Sequence, residues 1–75
     1  MIEVLLTGWN PGFDKIAMNR LLRAQFDYSL AEAKIAVDAI LERQEIILTV
    51  QPEILEQITF ELVELGAVFT IIKRN

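Results

Sequence analysis

Apolar residues change their spacing from segment to segment along the chain, and these changes predict the order of strands and helices. Three short segments are continuous runs of β-branched and aliphatic residues, which is typical of buried strands. Three longer segments have apolar residues at helical spacing. The strands are predicted at residues 2–7, 45–50 and 67–72, and the helices at residues 13 to about 25, 29 to about 42, and 52–66.

Turn-forming and capping residues mark the boundaries of these elements. Residues 8–12 (GWNPG) are rich in turn formers, so we expect them to end the first strand and open a loop. Ser29 and Glu32 have the spacing of a capping box at a helix start. Pro52 suits a first helical position, and Gly66 suits the position just after a helix end. The last three residues are predicted to be a polar tail.

The element order is strand, helix, helix, strand, helix, strand. It suits an α/β (α+β) two-layer sandwich, in which a three-stranded sheet carries helices on one face. A chain of 75 residues holds one small core, so residues 1–75 are expected to form a single domain. The order of the strands in the sheet does not follow from the pattern.

One isoleucine of the first helix falls on the polar side of that helix. Stepping about 100° per residue places Ile16 between Arg20 and Arg23, on the half that also holds Lys15 and Asn19. A single surface isoleucine is common and needs no function. The alternative is a recognition patch, in which the isoleucine anchors a partner and the cations steer an acidic surface toward it.

The other helices also have apolar residues outside their expected buried stripes. In the second helix, Ala31, Ile35 and Ala39 either pack on a neighbouring helix or extend the patch around Ile16. In the third, Phe60 lies on a face of glutamates and is either an exposed anchor or tucked against the sheet rim. Trp9, Ile35 and Phe60 are candidates for a secondary interface, although Trp9 could instead cap a sheet edge. The residues expected to be buried in the helices are Phe13, Ala17, Met18, Leu21, Leu22, Ala24, Leu30, Ala33, Val37, Ile40, Leu41, Ile54, Ile58, Leu62 and Leu65.

Composition narrows the possible functions. Hydrophobic residues make up 53% of the chain, with only 3 Gly and 2 Pro, so it is expected to be ordered. A net charge of −4 disfavours nucleic acid as a partner. Residues 13–26 carry three bases and one acid, whereas residues 52–66 carry four acids and no base, a polarity that suits either an acidic partner or a homo-oligomer. No apolar stretch nears the roughly 20 residues of a membrane helix, and no basic leader is present, so we expect a cytoplasmic protein without membrane contact.

The chain lacks the side chains that most enzymes use. It has no cysteine and no histidine, which removes thiol nucleophiles, imidazole bases and the usual zinc ligands. Ser29 is the only serine, and it is expected to serve as a helix cap. The three glycines do not form a phosphate-binding loop. We therefore expect no catalytic residue, no cofactor and no metal site.

Residues 14–23 (DKIAMNRLLR) and 29–34 (SLAEAK), with GAVF at residues 66–69, resemble the C-terminal domain of the bacterial ribosomal stalk protein. The resemblance covers most of the chain. It implies the same strand and helix order and a non-catalytic docking module, which in that family recruits translational GTPases through the first helix and the start of the second. The family's dimerisation domain and hinge have no counterpart in these residues, so a stand-alone homologue is expected.

The resemblance can be carried over position by position. The family's basic and apolar contact positions are matched by Lys15, Ile16, Arg20, Arg23 and Lys34. Two departures accompany these matches. Asn19 stands where the family usually has an aliphatic residue, and residues 25–28 (QFDY) replace the family's glycine-rich break.

The Clp protease adaptor family shares this fold, and residues 26–29 (FDYS) resemble its corresponding segment. That family binds N-degrons through an acidic loop and a helix histidine, whereas this chain has Trp9-Asn10-Pro11 in the loop and no histidine. The expected function is therefore a protein–protein interaction module in translation or proteolysis. The alternatives are a self-assembling structural subunit and a divergent Clp adaptor.

Overall fold

The computed structural model describes residues 1–73 and contains the expected order of elements. A short 3₁₀ turn at Pro52–Ile54 begins the third helical segment, with the proline near its first position. Gly66 ends that segment in the left-handed conformation, with φ of 91°. The elements are β1 (Ile2–Trp9), α1 (Lys15–Gln25), α2 (Leu30–Leu41), β2 (Ile46–Val50), α3 (Leu55–Leu65) and β3 (Ala67–Lys73).

The sheet has three antiparallel strands in the order β2-β1-β3. Side chains of β1 alternate between buried and half-buried positions, as expected of a strand covered on one face. Helices α2 and α3 pack on the sheet, and α1 packs against both of them. The two-layer α+β sandwich is therefore confirmed.

One apolar core fills the space between the sheet and the helices. Its members come from all six elements, and no polar side chain of the described residues is buried in it. In a domain this small, packing supplies most of the stability because there are no disulfides. The core consists of Ile2, Val4, Leu6, Met18, Leu21, Leu22, Ala33, Ala36, Val37, Ile40, Leu48, Val50, Ile58, Leu62, Leu65 and Ala67.

The first strand is longer than the sequence predicts. Gly8 and Trp9 were expected in the loop, but both pair with β3 at the end of β1. The following residue, Asn10, donates its N–H to the Gly66 carbonyl at 2.8 Å, which extends the contact between the two chain segments. The turn formers act only from Pro11 onward. At the other end of the chain β3 includes Lys73, and the rest of the expected polar tail lies outside the described residues.

Trp9 is part of the folded core region rather than of a loop. Its half-buried ring packs against the core, and its indole N–H donates to the Leu41 carbonyl at 3.0 Å. The guanidinium of Arg43 lies 5.1 Å from the ring centroid and donates to the Trp9 carbonyl at 3.4 Å. A register shift between Leu6 and Gly8 precedes this contact. Because β1 is the central strand, Trp9 joins the sheet to the end of α2 rather than capping a sheet edge.

Two residues expected to be buried, Leu30 and Ala24, are exposed, and so are Ile35 and Phe60, whose exposure the sequence left open. Leu30 is 63% exposed because it begins α2, one turn before the buried stripe starts at Ala33. Ile35 is 70% exposed, so the alternative in which it packs on a neighbouring helix is wrong. Phe60, at 65%, is an exposed residue and is not tucked against the sheet rim. Ala24 is also exposed, near the end of α1.

Candidate functional site

The candidate site is centred on Ile16, at the start of α1. The carboxylate of Asp14 accepts a hydrogen bond from the backbone N–H of Ala17 at 3.0 Å, so the helix begins directly after Asp14. Ile16 lies opposite the buried stripe, and its side chain is 66% exposed. The buried stripe of α1 consists of Met18, Leu21 and Leu22.

The cations of α1 surround this isoleucine. Lys15, Arg20 and Arg23 are all exposed. Asn19 is half-buried, and its Oδ1 accepts a long hydrogen bond, at 3.4 Å, from Nη1 of Arg23. The asparagine that departs from the family pattern therefore holds a guanidinium on the same side of the helix as Ile16.

The two sides of α1 face different neighbours. Ala17 and Ala24 line a groove together with residues of α3, so this side of α1 faces α3. The opposite side carries Lys15, Asn19 and Arg23, and it faces α2, against which α1 packs.

Helix α2 is arranged in a complementary way. Ile35 and Ala39 line a groove with Ile46 of β2, so that side of α2 faces the edge of the sheet. Lys34 is exposed on the other side, the one that faces α1. Because α1 packs against α2, helical phase places Lys34 on the side of α2 that is nearest to the cations of α1. We call this surface the basic patch, and its residues are Lys15, Ile16, Asn19, Arg20, Arg23 and Lys34.

Leu30 borders the basic patch and was not among the candidate residues. The backbone N–H of Tyr28 donates to the Leu22 carbonyl at 3.3 Å, which holds the start of α2 beside the end of α1. Leu30 lies on the α1-facing side of α2 and exposes a second aliphatic side chain there. The signal was present in the sequence, because the residue directly after the Ser29 cap precedes the buried stripe by one turn.

The candidates for a secondary interface do not lie together. Trp9 is at the end of the central strand, Ile35 is in the groove between α2 and β2, and Phe60 is in the groove between α1 and α3. The indole N–H of Trp9 is already used inside the protein. Ile35 and Phe60 are the two of these residues that expose most of their side chains.

The capping box fixes the start of α2, the helix that carries Leu30 and Lys34. The backbone N–H of Ser29 donates to Oε1 of Glu32 at 2.8 Å, and the N–H of Glu32 donates to the Ser29 hydroxyl at 3.1 Å. The hydrogen bond from the Ser29 backbone, followed by that from its side chain, lowers the pKa of Glu32 below its ordinary value of 4.5. Glu32 is thus an ionised cap that holds the α2 part of the basic patch.

Within residues 1–73, no three acidic side chains gather in a way that could hold a metal ion. None of the helices over the same range is long and apolar enough to cross a membrane. Comparison with models of known families and with curated protein sequences finds no match.

Proposed function

We propose that this protein is a non-catalytic interaction module that binds an acidic protein surface through the basic patch. The observation that carries the proposal is Ile16, which is 66% exposed and has Lys15, Arg20 and Arg23 exposed around it. An aliphatic centre within a charged rim is the usual arrangement of a small protein interface. The cations select an acidic partner and speed its approach.

Burial of Ile16 alone would not supply the binding free energy of a micromolar complex. Complete burial of an Ile side chain contributes about 1.5–3 kcal/mol, whereas micromolar affinity corresponds to about 8 kcal/mol. Leu30, which is 63% exposed beside the patch, supplies a second apolar contact. The remainder must come from charge-assisted hydrogen bonds made by the arginines. We therefore expect an affinity in the micromolar range that weakens as salt is added.

The resemblance to the ribosomal stalk domain supports translational GTPases as the first partner class to test. The positions that match that family's contact residues are Lys15, Ile16, Arg20, Arg23 and Lys34, and all of them are exposed. Helical phase independently identifies the four of them that lie on α1, Lys15, Ile16, Arg20 and Arg23. Two lines of reasoning therefore support the same surface.

Photocrosslinking at the patch tests this proposal. A photoreactive phenylalanine analogue is placed at Ile16 or, as a control, at Ile47, which is 52% exposed on the opposite, uncovered face of the sheet. On irradiation in cells, the probe at position 16 should give a crosslinked product with an acidic protein, and the probe at position 47 should not. Mass spectrometry identifies the product and shows whether it is a translational GTPase.

The control for specificity is a second change in the same chain. Replacing Arg20→Gln and Arg23→Gln should remove the product formed at position 16, because steering and hydrogen bonding are lost while the fold is untouched. A product that persists in this background, or one that forms equally at position 47, would show that the basic patch is not the binding surface.

A further inference from the structure

The third helix presents a surface whose charge is opposite to that of the basic patch. Phe60 is 65% exposed, although a phenylalanine is among the most costly side chains to leave in water. Glu56 and Glu64 are exposed on the same helix and Glu61 is half-exposed, with no basic residue in α3. The side chain of Glu61 is held by Gln57, whose amide donates to it at 3.1 Å.

A shallow groove runs between this surface and α1. Its two sections lie next to each other along the helices, because Ala17 and Glu61 line both of them. Arg20 lines one section and Phe60 the other. Acidic oxygens and apolar atoms dominate the α3 wall, whereas the α1 wall leads over Arg20 to the basic patch. The full lining is Asp14, Ala17, Arg20, Leu21, Ala24, Gln25, Phe60, Glu61, Glu64 and Leu65.

We infer that the groove is the centre of a symmetric dimer, in which α1 of each copy packs on α3 of the other. The argument is charge complementarity. Helix α1 has one exposed aliphatic residue among three cations, and α3 has one exposed aromatic residue among three acids. A second copy of this chain offers an acidic face to the basic α1 and a basic face to the acidic α3. Both surfaces are therefore complementary to the same molecule.

The neighbouring positions of α1 and α3 permit a closed arrangement. A two-fold axis that runs along the groove carries α1 of one copy to a position above α3 of the other, and carries α3 to a position above α1. Both complementary contacts then form at once, as in the isologous dimers that are the commonest oligomers. A standard interface buries about 800 Å² per partner, about a sixth of the 4753 Å² of accessible surface.

This dimer goes beyond the proposed function and would regulate it. Arg20 lines the groove and also belongs to the basic patch, and Ile16 lies one turn from it on α1. A copy in the dimer would therefore hide part of the surface that a partner needs. An acidic partner then competes with the second copy. Because self-association is measured on the pure protein, its failure would leave the partner proposal intact, and failure to find a partner would leave the dimer intact.

Two charge-reversal variants test the inference when they are mixed. The variant Arg20→Glu/Arg23→Glu has two acidic helices, and the variant Glu61→Lys/Glu64→Lys has two basic ones. Each should repel its own copies and sediment as a monomer at concentrations where the unchanged protein is dimeric. A one-to-one mixture should sediment as a heterodimer, because each contact again joins opposite charges. Circular dichroism of both variants checks that they are folded.

A matched pair of truncations on α3 tests the position of the interface. Phe60→Ala should raise the dimer dissociation constant at least about tenfold, since an aromatic anchor is lost twice per dimer. Val63 is also exposed, at 63%, but it does not line the groove, so Val63→Ala should leave the constant unchanged. The inference is overturned if the unchanged protein stays monomeric throughout a concentration series, if the mixed variants do not associate, or if the assembly grows beyond two copies.

Discussion

At the scale of single residues, Asp27 carries a backbone conformation that usually belongs to glycine. It lies in the loop between α1 and α2 with φ of 59°, in the left-handed region. Residues 25–28 contain no glycine, although glycine is the residue that most easily adopts this conformation. Aspartate is one of the few residues that tolerate this conformation, because its side chain can bond locally. An aspartate therefore adopts here a conformation that is commonest for glycine.

This conformation leads to a prediction about the loop. The Asp27→Ala variant should have a free energy of unfolding roughly 1 kcal/mol lower than that of the Asp27→Gly variant. Alanine has neither the backbone freedom of glycine nor the polar side chain of aspartate. Chemical denaturation of both variants gives the two free energies of unfolding. Ala24→Gly is the control, because Ala24 is exposed in regular helix and there glycine should cost about 1 kcal/mol. Equal stabilities at position 27 would contradict the account.

The Trp9 and Arg43 contact shows what residue patterns cannot predict. Sequence neighbours of Trp9 are turn formers, which favoured a loop, yet its place is fixed by pairing with β3 and by a carbonyl at the end of α2. A Cβ at Gly8 would lie 2.5 Å from Nη1 of Arg43, so the glycine leaves room for that side chain. Such contacts join residues more than thirty positions apart, and local spacing contains no information about them.

At the scale of elements, the start of α2 is controlled by an ionised side chain. Because hydrogen bonds from Ser29 lower the pKa of Glu32, the capping box contributes stability above the pKa of Glu32 in the unfolded chain. That contribution is lost as the pH falls through the lower pKa of the folded state. The stability of α2, and with it the placement of Leu30 and Lys34, should therefore decline in acid.

A comparison of two variants tests this dependence. Glu32→Ala should lower the thermal midpoint at neutral pH, and the difference from the unchanged protein should shrink as the pH is lowered below about 4. Ser29→Ala, which removes the other half of the box, should cost about 1 kcal/mol at neutral pH. A difference between the unchanged protein and Glu32→Ala that stays constant down to strongly acidic pH would contradict the role of the carboxylate.

The order of helices and strands was easier to predict than the exposure of individual side chains. The six elements follow from periodicity and from caps at Ser29, Pro52 and Gly66, which are local signals. Helix α2, by contrast, is apolar on most sides, so its sequence could not show which side meets the sheet. For this reason the sequence left two alternatives open for Ile35. Leu30 was expected to be buried because it shares the helical phase of the buried stripe, although it lies one turn before that stripe begins. The order β2-β1-β3 is likewise a matter of pairing between distant segments, which the pattern does not encode.

At the scale of the whole molecule, the acidic charge is unevenly distributed. The net charge of −4 arises although α1 is locally basic, because the acids are concentrated elsewhere, with α3 carrying no base at all. Ile16 and Phe60 mark the centres of these two opposite surfaces, and both are exposed as helical phase suggested. Because neither side chain is buried within the chain, both support the proposed association with other molecules. The surrounding charges favour an acidic partner for the basic patch and a basic surface for α3.

The central claim is that the basic patch binds an acidic partner, and a matched pair of variants tests it most directly. Arg20→Gln/Arg23→Gln removes two charges from the patch, while Gln44→Glu/Gln51→Glu adds two acids at exposed positions away from it, so both variants have the net charge −6. Binding of each to the partner identified by crosslinking is measured at one salt concentration, with the protein dilute enough to be monomeric. The account predicts at least about a tenfold weaker affinity for the arginine variant alone. Equal affinities for the two variants would contradict it.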